Sequence, residues 1–225
     1  AGALLLAVNV MCACLRNVTS AGRQRRLLQL LLEVSRLCDN TIKTQRVLPF
    51  IVAALALPVP SIRAEAIFVM AELLGDVTSL GPSDTRLMPD YVIPTLQRAA
   101  MDPDPLVRCE LARNICRLAT TAHRFLEMAQ WVRTLSERQE RGNGDGGSEE
   151  GGGVGFGTLA SAATLRSFDA ELSSLQEQVL RIVQQLATDH ADGHSAAVVK
   201  RNLLVDVTSL ALFLRRQNTN DCLLP

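Results

Sequence analysis

The sequence predicts an all-α fold, an α-solenoid of stacked helical hairpins, on three observations. The first is an internal repeat. Residues 46–74 read RVLPFIVAALALPVPSIRAEAIFVMAELL and residues 91–119 read YVIPTLQRAAMDPDPLVRCELARNICRLA, in register at an offset of 45. At that offset Val47 meets Val92, Leu48 meets Ile93, Pro49 meets Pro94, Pro58 meets Pro103 and Pro60 meets Pro105. Ile62 then meets Val107, Arg63 meets Arg108 and Glu65 meets Glu110. The second observation is composition: 48% apolar and only 4% aromatic, dominated by the good helix formers Leu and Ala. The third is helical periodicity almost throughout, with no alternating run long enough for a strand.

A helical period of this length belongs to HEAT and armadillo arrays, in which each helix pair buries the apolar face of its neighbour. The periodicity predicts helices over 3–18, 22–38, 41–57, 60–79, 84–101, 105–139, 168–189 and 195–216. Pro60 and Pro105 suit a first helical turn, where a missing N–H costs nothing. Asp104 stands before Pro105 as a cap, and Asp39-Asn40 can close one helix and cap the next. Gly75 lies late in its helix and can shorten it, and Gly81-Pro82 marks the following turn. Pro49 and Pro94 fall inside helical runs and should kink them by removing one hydrogen bond each. Kinked first helices are typical of HEAT units. A degenerate copy follows late, where Val198-Val199-Lys200-Arg201 parallels Leu106-Val107-Arg108 and Leu203, Leu204, Val207 and Leu210 extend the stripe. The first two helices form another, giving about four pairs, above the roughly three a solenoid needs.

Residues 142–157, GNGDGGSEEGGGVGFG, break the pattern with nine glycines and three acids. Such a segment cannot meet the entropy cost of ordering. The domain reading is therefore HEAT-type repeats over 1–140, a Gly-rich acidic flexible insertion over 141–167, and a further HEAT-type repeat over 168–225 that continues beyond the fragment. The chain opens without Met inside the apolar run AGALLLAVNVMCACL and stops abruptly, which suggests an internal piece of a longer protein. That run reaches Arg16 too soon for a membrane span and lacks the basic start of a signal peptide.

Lys+Arg and Asp+Glu are both 23, so no global basic field exists to hold a phosphate backbone, and no nucleic-acid partner is expected. Cys12, Cys14, Cys38, Cys109 and Cys116 sit among apolar residues of predicted helices, as small buried hydrophobes of a reducing compartment. With Cys222 they make six, and no pair has ligand-like spacing.

GNGDGG fits GxGxxG formally, and GVGFG resembles a kinase phosphate loop, but neither follows a strand or opens a helix, and the acids would repel phosphate. His190, Asp192 and His194 lie in DHADGH, which reads as a surface turn rather than a metal site. His123 has no nucleophile near it in sequence. Arg23, Arg25 and Arg26 read as a solvated basic face, and Asn17-Val18-Thr19 as a chance sequon. Neither a catalytic residue nor a cofactor or metal site is expected.

Arg63 and Arg108 differ because they recur at equivalent places, early in the second helix of each unit. HEAT units commonly place an arginine here to bond aspartates or carbonyls at the inter-repeat turn. Asp102 and Asp104 are the obvious acceptors, and such an arginine would fix the stacking angle between units.

Three stretches carry a narrower resemblance: SIRAEAIFVMAELL (61–74), MPDYVIPTLQRAAMDPDPLVRCELARNICRLATTAHRFLEMAQ (88–130) and RRQNTNDCLLP (215–225). They resemble the HEAT-repeat middle of the regulatory subunit of class III phosphatidylinositol 3-kinase, the vacuolar-protein-sorting serine/threonine-kinase-like subunit. The Gly-rich insertion departs from that pattern. The resemblance implies a parent with an N-terminal kinase-like domain, a central solenoid and a C-terminal WD40 propeller. It implies a non-enzymatic scaffold segment with the lipid kinase catalytic subunit and a Beclin-type adaptor as partners in one multi-subunit complex. It places that complex in the cytoplasm, peripheral to endosomal and autophagic membranes, with the membrane reached only through the complex. A HEAT adaptor of another system, such as a phosphatase scaffold or transport receptor, is the alternative. It would share the periodicity without the 88–130 resemblance.

Overall fold

The computed structural model describes residues 2–143, 156–188 and 193–214 of the chain. Among them the fold is all-α and contains no strand. The helices are α1 (Gly2–Asn17), α2 (Ala21–Ser35), α3 (Asn40–Ile42), α4 (Leu48–Ala54), α5 (Pro60–Gly75), α6 (Ile93–Ala100), α7 (Pro105–Asn143), α8 (Phe156–Ala187) and α9 (Gly193–Leu203). Residues 207–214 are also helical. Short connections fold consecutive helices back as hairpins: α1 on α2, α4 on α5, α6 on α7 and α8 on α9. The second helices stack in series, α2 on α5, α5 on α7 and α7 on α9, while α8 covers α6 in the other layer. This two-layer stack of hairpins is the α-solenoid that the repeat predicts.

The offset of 45 recurs in the backbone. A π-helical turn covers Lys43–Val47 and another covers Met88–Val92, each running directly into the proline-bearing segments α4 and α6. Proline cannot donate to the carbonyl four residues back, and its ring crowds that carbonyl. The chain widens by one residue instead. The Leu48 N–H bonds Lys43 O and the Ile93 N–H bonds Met88 O, each five residues back. Pro49 and Pro94 therefore each sit just after a widened turn. Pro60 and Pro105 open α5 and α7, as their positions predict.

Helix α5 is the central element. It packs against α2, α4 and α7, and Ile62, Ala66, Ile67, Val69, Met70, Leu73 and Leu74 are buried around most of its circumference. Such all-round apolarity marks a helix with neighbours on nearly every side. Each of its large aliphatic side chains contributes about 1.5–3 kcal/mol relative to an exposed one.

Several boundaries differ from expectation. Helix α5 stops at Gly75, not 79, because Gly75 and the turn over 76–81 end it. The expected helix from 84 is instead a 3-10 turn (Pro82–Asp84), an irregular link and the π-turn before α6. Helix α8 begins at Phe156 rather than 168, because TLASAATL (158–165) is built from good helix formers. The last expected helix is broken by a turn at 204–206, where the Leu204 and Val205 N–H groups bond back only three or four residues and Asp206 opens a new turn. Residues 144–155 of the Gly-rich insertion, His190, Asp192 and residues 215–225 with Cys222 lie outside the described residues.

Candidate functional site

The residues singled out from sequence meet at the junction between the second and third hairpins. Arg63 Nε donates to Asp102 Oδ2 at 2.8 Å and Nη2 donates to Oδ1 at 2.7 Å. Its Nη1 donates to the carbonyls of Leu57 and Pro58, each at 3.0 Å. Arg63 and Asp102 are only 12% and 11% exposed, so the pair is shielded enough to hold one geometry. The hydrogen bond to Asp102 and the charges of Asp102 and Asp104 push the Arg63 guanidinium above its usual value, against burial.

Arg108 repeats the carbonyl contacts of this arrangement. Its Nη1 donates to Asp102 O at 2.5 Å and to Pro103 O at 3.0 Å, the carbonyls 45 residues after those that Arg63 holds. Each arginine thus clamps the turn between the two helices of its own unit, and Arg63 reaches on to the next. Asp104 plays another part: its Oδ1 accepts the Leu106 N–H at 2.8 Å and caps α7. The Asp104 N–H in turn donates to Asp102 Oδ1 at 2.9 Å.

A second cluster, at the C-terminus of α5, was not foreseen. Glu72 is gripped from both sides, by Arg36 of the α2 end at 3.3 Å and by Arg117 of α7. Arg36 also reaches Asp76 at 3.1 Å. Lys43 Nζ donates to Asp76 O at 3.2 Å, and Arg124 Nη2 donates to Leu74 O and Gly75 O at 3.0 and 2.9 Å. Lys43 and Arg124 thus satisfy open carbonyls at the end of the central helix, and with Arg36 and Arg117 they bring four cations from three other segments to its negative dipole end. One signal was present in the sequence: Glu72 and Arg117 are opposite charges at equivalent positions of the repeat.

Arg25 corrects the reading of the 23–26 cluster as a solvated face. Its Nε and Nη2 donate to Glu65 Oε2 at 3.2 and 2.9 Å, and Gln29 donates to Oε1 at 3.0 Å. Glu65 is only 9% exposed, so a buried acid depends on this half-exposed arginine. The π-turn of the first repeat is tied similarly, as Thr44 Oγ1 and Gln45 Nε2 donate to buried Asp84 at 2.7 and 3.2 Å. Arg16 of α1 lies 4.8 Å over the ring of Phe50 in α4.

His123 stands edge-on to Phe168 and Phe213, 6.4 Å from each ring, with Glu127 3.7 Å from Nδ1. Cys12, Cys38 and Cys116 are buried and Cys109 is partly so, but Cys14 is exposed, contrary to its apolar surroundings in sequence. Burial pushes the Cys12 thiol up to about 11. Among the described residues no three His, Cys, Asp or Glu side chains group to hold a metal, and no helix is long and apolar enough to cross a membrane.

A two-layer stack of hairpins with ion pairs between its units defines an α-solenoid of the helical-repeat class. The family model described as PIK3R4-like, middle domain, matches residues 7–225, and the chain belongs to that family. It is 28% identical over 222 residues to a serine/threonine-protein kinase VPS15 of Arabidopsis thaliana, covering 99% of this chain and 14% of that protein. It is 29% identical over 198 residues to a probable vps15 kinase of Dictyostelium discoideum, covering 87% of this chain and 9% of that one. It is 27% identical over 219 residues to the vps15 kinase of Schizosaccharomyces pombe, covering 96% and 12%. The chain thus spans about a seventh or less of these relatives.

Proposed function

We propose that this chain is a non-enzymatic scaffold segment in the regulatory subunit of a class III phosphatidylinositol 3-kinase complex. In this reading it links a kinase-like domain to a WD40 propeller, beside the lipid kinase catalytic subunit and a Beclin-type adaptor. The complex serves endosomal sorting and autophagy, and the segment reaches those membranes only through it. The match of the middle-domain family over residues 7–225 is the observation that carries this reading. The kinases named among the relatives are far longer, so catalytic machinery has ample room outside this stretch. The Arg63–Asp102 pair and the Arg108 clamp fix the angle at which successive units stack. A solenoid transmits such an angle along its axis, because each unit touches its neighbours in series.

Affinity purification of the full-length parent followed by mass spectrometry tests the assignment. Recovery of a phosphatidylinositol 3-kinase catalytic subunit in stoichiometric amount is expected. Recovery of phosphatase subunits or transport cargo in its place would assign the segment to another HEAT system.

A further inference from the structure

The ion pairs between units fix the register of the second-helix layer. Gln29 of α2 bonds Glu65 of α5, and two turns later Arg36, Glu72 and Arg117 form a row across α2, α5 and α7. Arg63–Asp102 ties the N-terminal end of α5 to the turn that precedes α7, so α5 and α7 run parallel at an offset near 45. Between those two rows lies a third. Glu33 stands four residues after Gln29 and three before Arg36, on one face of α2. Phe68 stands three after Glu65 and four before Glu72, and Arg113 four before Arg117. The middle row is therefore Glu33, Phe68, Arg113: an acid, an aromatic ring and a cation on three adjacent helices.

All three are exposed, Phe68 at 38% and the Arg113 side chain at 58%. Phe68 is the sole exposed residue of α5, in a helix otherwise buried or half-buried. Glu33 has no ion pair among the described residues. Arg113 is tethered only to Glu110 of its own helix, at 3.2 Å. The rows on either side are closed by ion pairs that satisfy their own charges. An aromatic ring inside a rim of fixed polar groups is the arrangement of an interface hot spot.

We propose that this face of α2, α5 and α7 docks a protein segment that crosses the three helices and presents a basic, an apolar and an acidic side chain in that order. The basic group meets Glu33, the apolar one covers Phe68, and the carboxylate takes the Arg113 fork. Adjacent helix axes are about 8–10 Å apart, which sets the spacing of the three groups. On this face Arg25, Arg36, Arg113 and Arg117 are matched by the acids they pair with, Glu65, Glu72 and Glu110, together with Glu33, so it carries no net positive field to hold an anionic membrane or nucleic acid, and the partner is protein. The inference goes beyond the scaffold reading and holds whichever assembly the parent enters.

The test uses the full-length parent purified with its native partners, carrying p-benzoylphenylalanine in place of Phe68, with Leu212 replaced in the same way as an exposed apolar control. The expected result is a cross-link from position 68 to one protein segment with that charge order. Glu33→Arg should cut its yield about ten-fold, since like charges would then face each other. Carboxyl footprinting of the unsubstituted parent needs no variant to fold: Glu33 labelling should fall on assembly while Glu127 labelling stays constant. Cross-links to lipid, or yields no higher than at position 212, would overturn the proposal. So would cross-link yields left unchanged by Glu33→Arg and by Arg113→Glu, or unchanged Glu33 labelling.

Discussion

Arg63 holds both oxygens of Asp102, at 2.8 and 2.7 Å, across 39 residues of chain. The same guanidinium holds the carbonyls of Leu57 and Pro58, so one side chain joins a turn of its own unit to the turn of the next. Removing it leaves two carbonyls and a largely buried carboxylate short of donors. Arg63→Ala should lower stability by about 1–3 kcal/mol, and Arg108→Ala by a similar amount through its own two carbonyls. Urea titration measures both, and losses under about 0.5 kcal/mol at both sites, the range of ordinary surface changes, would remove the structural role.

Arg25→Ala should cost about 1 kcal/mol, more than a free surface charge, because Glu65 loses two of its three donors. A double-mutant cycle with Glu65→Gln isolates the pair. Strict additivity would show that Arg25 does not support Glu65.

Glu72→Gln should destabilise the stack by about 1–3 kcal/mol, since Arg36 and Arg117 both lose a charged acceptor at the end of α5. Glu127→Gln, at a carboxylate 57% exposed, should stay within about 0.5 kcal/mol. Equal urea midpoints for the two variants would contradict a hub at α5.

Asp102 gives the stack a pH signature. Burial pushes its carboxyl up, but the Arg63 bond, the Asp104 N–H and the nearby arginine charges outweigh that and hold it below the ordinary value. A depressed folded value contributes stability that is complete above the unfolded value, about 3.9, and is lost as pH falls through the folded one. Asp102→Asn should therefore be less stable near neutrality and lose less on acidification below about pH 4. Parallel stability–pH curves for the two proteins would exclude Asp102 as a contributor.

Much of this was legible in the sequence, because the offset of 45 carries contacts as well as residues. Arg63 and Arg108 clamp carbonyls at the same offset, and the prolines mark the widened turns. The cluster at the α5 C-terminus was not legible from local pattern. Arg36, Lys43 and Arg124 belong to segments with no shared motif, and only packing brings them to one helix end. Arg25 was misjudged for the same reason: its partner lies 40 residues away, and an arginine-rich first turn looks solvated until α5 lies beside it. The early start of α8 was hidden by a glycine-rich stretch that drew the whole neighbourhood into a loop reading, although Ala and Leu dominate 158–165.

The scaffold claim is tested most directly by Leu111→Pro in the full-length parent. Leu111 is fully buried in α7, the helix that packs on α5, α8 and α9. Proline there removes a helix bond and costs roughly 3 kcal/mol or more. Lipid-kinase output and subunit co-purification should both fall while the kinase-like domain remains folded, and the isolated chain should show no phosphoryl transfer of its own. A complete, fully active complex carrying Leu111→Pro would contradict the account.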